Sequence, residues 1–312
     1  MTGRLAAAAV AVALLAGCSA TPPWPPPPPT APPPSAPLGS ASPAPSPTVS
    51  SIEEVEPFAV APGLQLDSVP NFRDVAGAGE GLLLADGSRM VVGAIFRSGK
   101  LAPISRADRE RLVAAGVSDI YDLRTPAVIG RTPDPAIEGA ERHEINVFAV
   151  QASAPVRPGR PAEARKHMKR IYREFVAVAA QRKAIAKVLK SIAEADGPVL
   201  VHCTEGKDRT GWISALLQLT AGADEVTVIE EYLLSNQRRE SLIEREVAKA
   251  ERTDGKQAGE IKRALLQVDA SYLRAGLTEL KARYGDLDGY LTRGLGLSDD
   301  TIDTLRSRLR AG

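Results

Sequence analysis

Ten residues constrain this chain more than any other stretch: His202-Cys203-Thr204-Glu205-Gly206-Lys207-Asp208-Arg209-Thr210-Gly211. The apolar run Pro198-Val199-Leu200-Val201 before them reads as a buried strand. The run Trp212 to Leu219 after them reads as a helix. The stretch is therefore a strand–loop–helix turn with a cysteine at its start and an arginine six positions on. Five residues between Cys203 and Arg209 are enough to wrap one tetrahedral oxyanion. Backbone N–H groups of such a loop can point inward, and the loop feeds a helix N-terminus, which favours negative charge. Arg209 adds a planar fork that binds two phosphate oxygens at once. The same positive field lowers the Cys203 pKa below the ordinary thiol range. A thiolate under a phosphate ester is a nucleophile aimed at phosphorus.

Blander readings account for less. A buried structural cysteine needs no neighbouring Arg, Lys and His. A Walker A loop needs a Gly, then four residues, then Gly-Lys-Ser/Thr, whereas Val201 holds the place of the first Gly and Asp208 follows Lys207. A zinc site needs several thiols, and Cys203 is the only cysteine outside the N-terminal region.

The loop resembles the His-Cys-x5-Arg-Ser/Thr signature of the cysteine-dependent phosphatases of the protein tyrosine phosphatase superfamily. Its longer form, with Gly206-Lys207-Asp208-Arg209-Thr210-Gly211, is similar to one branch. That branch is the bacterial secreted tyrosine/dual-specificity phosphatases of the protein tyrosine phosphatase B type. The branch's Asn-Phe-Arg-Asp stretch has its counterpart in Asn71-Phe72-Arg73-Asp74, and its strand-ending Arg-Ser in Arg97-Ser98. The resemblance runs from about Pro70 to the C-terminus.

The chain's N-terminal part reads differently. Residues 1–17 have a positive start at Arg4 and an apolar stretch from Leu5 to Ala16, too short to span a bilayer, as in a signal peptide. They end in Leu15-Ala16-Gly17-Cys18, which resembles the bacterial lipobox. The resemblance implies lipidation of Cys18 and an exported, cell-membrane lipoprotein facing the outside. The plainer alternative is a secretory signal with an incidental cysteine. Residues 18–51 comprise that cysteine and a Pro/Ala/Ser-rich linker with the run Pro25 to Pro29, an extended polyproline spacer. At about 3.1 Å per residue it spans up to roughly 100 Å. Residues 52–312 are expected to form the phosphatase domain. The net charge of +1 gives no reason to expect nucleic acid as a partner.

Within that domain, Leu82 to Val92 with Asp86-Gly87 reads as a β-hairpin. Strands are expected at Ala94–Phe96, Val117–Leu123, Glu144–Val147 and before Cys203. Ser105 is expected to cap a helix that ends near Gly116. Ala164 to Ala195 carries apolar residues at helical spacing, as one long helix or two. Strands alternating with helices predict an α/β class, a mostly parallel sheet flanked by helices with ligands at the strands' carboxyl ends. After the loop the chain reads as almost all helical. The charged pair at 238–268 has a thin apolar seam at Leu242, Val247, Ile261 and Leu265, and the resemblance implies a helical lid there; an ordinary solvated hairpin is the alternative.

The site then reads as follows. Cys203 attacks phosphorus and forms a cysteinyl-phosphate. Arg209 and the amides of Thr204, Glu205, Gly206, Lys207 and Asp208 hold the phosphate oxygens. His202 orients the loop and helps keep Cys203 ionised. Thr210 donates its hydroxyl to the thiolate. Lys207 offers a charge to a second phosphate, or balances Glu205 and Asp208. The proton donor is Asp122, at another strand end, or Asp208, inside the loop; Asp122 is favoured because it can face the pocket from across. Asn71, Arg73 and Asp74 are expected to fix the N-terminal loop rather than touch the site. The chemistry calls for no cofactor or metal. The expected substrates are phosphotyrosine proteins, with phosphoserine/threonine and phosphoinositides as extensions. The alternatives are an inositol-phosphate (phytase-like) hydrolase on the same loop and a non-catalytic phospho-binding lipoprotein.

Overall fold

The computed structural model describes residues 63–150 and 157–311. The signal peptide, Cys18 and the linker lie outside the described residues, which all belong to one unit, Glu54–Gly312. Among the described residues there are five strands: β1 (Arg73–Asp74), β2 (Ile95–Ser98), β3 (Asp119–Asp122), β4 (Glu141–Glu144) and β5 (Val199–His202). They form one sheet in the order β1-β2-β5-β3-β4. Only β1 runs antiparallel; β2, β5, β3 and β4 are parallel neighbours. The expected mostly parallel α/β sheet is therefore present.

Strand character follows from position in that sheet. β5 is central, buried throughout, and reads Val-Leu-Val-His. Its residues alternate between two apolar layers. Val199 and Val201 join Ile95 and Tyr121 in the larger core, and Leu200 joins Phe96 and Ile120 in the smaller one. β4 is an edge strand, and its sequence Glu-Arg-His-Glu is charged accordingly. That is why the expected strand at Glu144–Val147 is displaced. The apolar Ile145 and Val147 are buried in the loop that follows β4, and the charged residues before them make the ladder. The expected hairpin at 82–92 is reduced to a tight turn with one bridge, Leu83 to Arg89, closed by the Met90 N–H on the Leu82 carbonyl at 3.0 Å. Beyond it the chain pairs with the C-terminal segment, where the Val91 N–H donates to the Leu309 carbonyl at 2.9 Å and the Arg89 carbonyl accepts from the Ala311 N–H at 3.1 Å.

Helices follow in order: α1 (Arg106–Ala114), α2 (Pro126–Arg131), α3 (Pro161–Ala177), α4 (Ala179–Glu194), α5 (Arg209–Ala221), α6 (Glu225–Gln237), α7 (Glu240–Asp254), α8 (Lys256–Leu266), α9 (Ala270–Tyr284), α10 (Leu287–Gly289) and, after a π-helical turn at Tyr290–Gly294, α11 (Asp299–Leu309). Ser105 caps α1 by accepting from the Asp108 N–H, as expected. The periodic stretch 164–195 is two helices. Val178 between them is extended (φ −87°, ψ 117°), and the Arg182 guanidinium takes the exposed carbonyls of Val176 and Ala177 at 2.9 Å each. No Gly or Pro marks that break. α5 is buried almost all round, as a core helix must be, and ends at Gly222 in the left-handed conformation.

The registers bring four strand ends to one level. Ser98, Asp122 and His202 are direct partners, and Glu144 lies beside Asp122. The loop from Cys203 to Asp208 sits on that edge, at the carboxyl ends of the strands.

Candidate active site

The loop's shape is set by what takes its carbonyls. The Thr204 carbonyl accepts from the Lys100 N–H at 3.1 Å. The Glu205 carbonyl accepts from Asn71 Nδ2 at 3.2 Å. The Gly206 carbonyl accepts from Asn71 Nδ2 at 2.8 Å and from Arg97 Nη2 at 2.9 Å. In a trans peptide the N–H of the next residue points opposite to the carbonyl. Three carbonyls drawn to the protein side thus turn the N–H groups of Glu205, Gly206 and Lys207 to the other side, where an anion can take them. Gly206 makes this approach possible. Its φ is +64°, and a Cβ there would lie 2.4 Å from the Ser98 carbonyl.

The residues that hold the loop are themselves held. Arg73 donates to Glu231 at 2.5 Å and to the Asn71 Oδ1 at 2.5 Å. Arg97 donates to the second Glu231 oxygen at 2.8 Å. Ser235 accepts from Arg73 at 3.1 Å. Asn71 adopts φ +62°, a conformation that Asn tolerates better than most side chains. The expectation that Asn71 and Arg73 only fix the N-terminal segment is corrected: they are the underside of the loop. Asp74 does stay local, accepting from the N–H groups of Ala76 and Gly93. Glu231 was not singled out in the sequence. Its signal is a charge on the apolar face of α6, at helical spacing with Val228, Tyr232 and Ser235.

Cys203 is buried. Burial pushes its thiol up, but the Arg209 charge, the Thr210 hydroxyl and the Thr210 N–H bring it below the ordinary thiol range. Arg209 is aimed from three sides. Its Nη1 donates to the Leu123 carbonyl at 3.2 Å, its Nη2 to the Thr204 hydroxyl at 3.2 Å, and its guanidinium lies 4.5 Å from the Phe148 ring centre. Its Nε is buried without an acceptor, a donor in wait for an anion.

Two predicted side chains turn elsewhere. Glu205, counted with the phosphate-binding residues, contributes its backbone, while its carboxylate pairs with Arg239 at 2.5 Å. Arg239 also donates to the Leu266 carbonyl at the end of α8 at 2.7 Å, so the base of the α7–α8 hairpin is tied to the loop. Lys207 is no surface lysine; it is buried, with Nζ 3.0 Å from each Asp208 oxygen.

Asp122 is corrected as proton donor. It is fully buried, and Arg124 takes both oxygens, at 2.8 Å and 2.6 Å. Burial pushes its carboxyl up, yet the Arg124 hydrogen bonds and charge bring it below the usual carboxylate range, so it keeps no proton to give. Arg124 also pairs with Asp134 at 2.5 Å, and His202 Nε2 lies 3.5 Å from Asp134. His202 contacts the Cys203 carbonyl at 3.4 Å through Nδ1. Burial depresses its pKa, against the pull of Asp122 and Asp134, so the ring is neutral at pH 7. It orients the loop's start and adds no charge to hold Cys203 ionised. Asp122, Asp134 and His202 are the only carboxylate–imidazole group among the described residues close enough together to hold a metal, and the Arg124 guanidinium already serves both carboxylates. Asp208 differs: it is about one-fifth exposed and belongs to the loop itself. His143 and His167 stand outside the loop, His143 on Asp119 in β4 and β3, His167 beside Arg170.

Residues 64–311 match the family model described as the tyrosine phosphatase family. This chain belongs to that family. It is 32% identical over 256 residues to a Cupriavidus necator protein named as a tyrosine-protein phosphatase, covering 80% of this chain and 89% of that one. It is 30% identical over 289 residues to the triple specificity protein phosphatase PtpB of Mycobacterium tuberculosis, covering 78% and 98%. A tyrosine-protein phosphatase of Nostoc commune matches at 27% over 240 residues, covering 69% and 74%. The family member described here is thus a hydrolase of phosphomonoesters, with its matched segment spanning the loop and both buried clusters around it.

Proposed function

We propose that the chain hydrolyses phosphotyrosine in proteins through a cysteinyl-phosphate on Cys203. The observation that carries this reading is the loop itself: a lowered thiol at the floor of a cup in which the Thr204, Glu205 and Gly206 carbonyls are drawn outward. The Cys203 sulfur attacks phosphorus in line, and the bond from phosphorus to the tyrosine oxygen breaks. Arg209 and the inward N–H groups take the equatorial oxygens. Asp208 gives its proton to the departing phenolate. In the second step a water attacks phosphorus, Asp208 takes the water's proton, and the thiolate returns with the Thr210 hydroxyl donating to it. No step calls for a metal or cofactor.

The test replaces Cys203 with Ser. Turnover should vanish while a phosphotyrosine peptide still binds, because the cup and Arg209 remain. Vanadate should inhibit the wild type and EDTA should not. Full activity in the serine variant, or loss of wild-type activity on chelation, overturns the mechanism.

Phosphoserine/threonine and phosphoinositides, the extensions expected from the sequence, belong in the same assay, and the mycobacterial relative carries the name of a triple specificity phosphatase. Lys207, already engaged by Asp208, is the one loop cation that can turn to a second phosphate. We read the α7–α8 hairpin as the lid that the resemblance implies, and its tie to the loop through Arg239 and Glu205 supports that reading. The N-terminal sequence supports export, lipidation at Cys18 and attachment outside the cell membrane through residues 18–51. Cys18→Ala should then release or block processing of the protein; an unprocessed N-terminus in a membrane-free fraction contradicts it.

A further inference from the structure

The Asp208 carboxylate is met by two donors, and only one of them is rigid. Lys207 approaches on a flexible stem. The other donor is Tyr172 of α3, whose hydroxyl lies 3.2 Å from Asp208 Oδ1. Tyr172 is fully buried, with its ring edge-on to Phe175, Trp212 and Tyr232 at 5.6, 6.4 and 6.0 Å between centres. Its hydroxyl is fixed in turn by the Tyr232 hydroxyl at 2.6 Å. Because Tyr172 donates to a carboxylate oxygen, its own oxygen accepts, and Tyr232 is the donor in that pair. Tyr232 sits in α6 one residue beyond Glu231, and its ring closes over Gly211. A Cβ at Gly211 would meet that ring at 3.2 Å, so the glycine lets the ring reach the loop. Burial holds both phenols well above the ordinary tyrosine range, so both keep their protons and remain donors.

We infer that Tyr172 and Tyr232 are positioning residues that aim Asp208 at the leaving oxygen through a chain of hydrogen bonds from α6 through α3 to the loop. This rests on Asp208 as the proton donor. When Lys207 turns towards an incoming phosphate, Tyr172 is the partner that stays. It holds one carboxyl oxygen in place and leaves the other to face the substrate. The chain also explains why a loop aspartate, which sequence spacing would turn towards its own loop, can act across the pocket: its orientation is imposed by a helix packed against the loop rather than by the loop.

The experiment compares turnover of phenyl phosphate, whose phenolate needs a proton, with that of 2,4-dinitrophenyl phosphate, whose phenolate does not. The quantity read is the ratio of the two kcat/KM values, which report formation of the phosphoenzyme alone, so that the second-step role of Asp208 does not enter. Tyr172→Phe, Tyr232→Phe, the Phe/Phe double variant and Asp208→Asn are each measured, with thermal melts to confirm folding. The double variant removes both hydroxyls and leaves neither unpaired, which protects against a failure to fold. Asp208→Asn should lower the ratio by about a hundredfold or more, the usual worth of a positioned acid. Tyr172→Phe should lower it by about tenfold, Tyr232→Phe by less, and Tyr172→Phe added to Asp208→Asn should lower it no further. If Asp208→Asn lowers the ratio and Tyr172→Phe leaves it at the wild-type value, or slows both substrates alike, the inference fails while the acid assignment stands. If Asp208→Asn itself leaves the ratio unchanged, the acid assignment fails and the inference with it.

Discussion

Two buried charge clusters flank the loop, and they are opposite in sign. Beneath it, Arg73 and Arg97 share the single carboxylate of Glu231, which leaves one positive charge. Beside its start, Asp122 and Asp134 share the single guanidinium of Arg124, with His202 neutral, which leaves one negative charge. Both are almost wholly removed from solvent. They differ in what they touch. The positive cluster reaches the loop backbone through Arg97 and Asn71. The negative one reaches the Ala102 N–H, the Thr132 carbonyl and the His202 ring. The first shapes an anion cup and adds to its field; the second staples the strand end to its neighbouring loops. Equal burial therefore says little about function, and the atoms at the end of each hydrogen bond say a great deal.

Glu231→Ala should separate the two most sharply. It strands two buried guanidiniums, which should cost roughly 3–5 kcal/mol of stability. Turnover per folded molecule should fall with it, as Arg97 and Asn71 release the Gly206 carbonyl. Urea unfolding paired with kcat at low denaturant reads both. Asp134→Asn leaves the Asp122–Arg124 pair in place and should cost about 1–3 kcal/mol, with a far smaller loss of turnover. A larger catalytic loss in Asp134→Asn than in Glu231→Ala would reverse the assignment of roles.

The cup's field can be read through its thiolate. Cys203 is ionised above its lowered pKa, so alkylation by iodoacetamide should persist below the ordinary thiol range and be lost as pH falls through that pKa. Thr210→Val removes one donor to the thiolate and should move the midpoint of alkylation upward. A midpoint that stays put would show that Arg209 and the Thr210 N–H set it without the hydroxyl. Glu205→Gln keeps an acceptor for Arg239 but removes the charge facing that buried guanidinium, and should cost about 1–3 kcal/mol. Its effect belongs in hydrogen exchange of residues 240–266, which should quicken if the pair ties the hairpin to the loop.

Much of this was legible in the residues. The apolar run before Cys203, the spacing to Arg209 and the alternation of strands with helices define the sheet and the cup, because local pattern and chemistry coincide there. Asn71 and Arg73 were visible but misassigned, since nothing local to them says that their partners lie more than a hundred residues on. Asp122 illustrates the same limit. A strand-end carboxylate is well placed to face a pocket, and only the fold reveals that Arg124, two residues later, curls back to occupy it. Glu231, Asp134, Tyr172 and Phe148 passed unnoticed, each a single residue within an ordinary apolar or loop pattern. The break at Val178 carries no Gly or Pro and is stabilised by Arg182 from the next helix, a tertiary cause.

The central claim is that phosphate passes through the Cys203 sulfur, and an acid quench tests it directly. Enzyme mixed with excess aryl phosphate, stopped in acid within milliseconds and mapped by peptide mass, should carry one phosphate on the peptide containing Cys203, increasing in Asp208→Asn if hydrolysis of the intermediate needs that carboxylate. A phosphate found on any other side chain, or turnover at the wild-type rate with Cys203 unmodified throughout, would contradict the account.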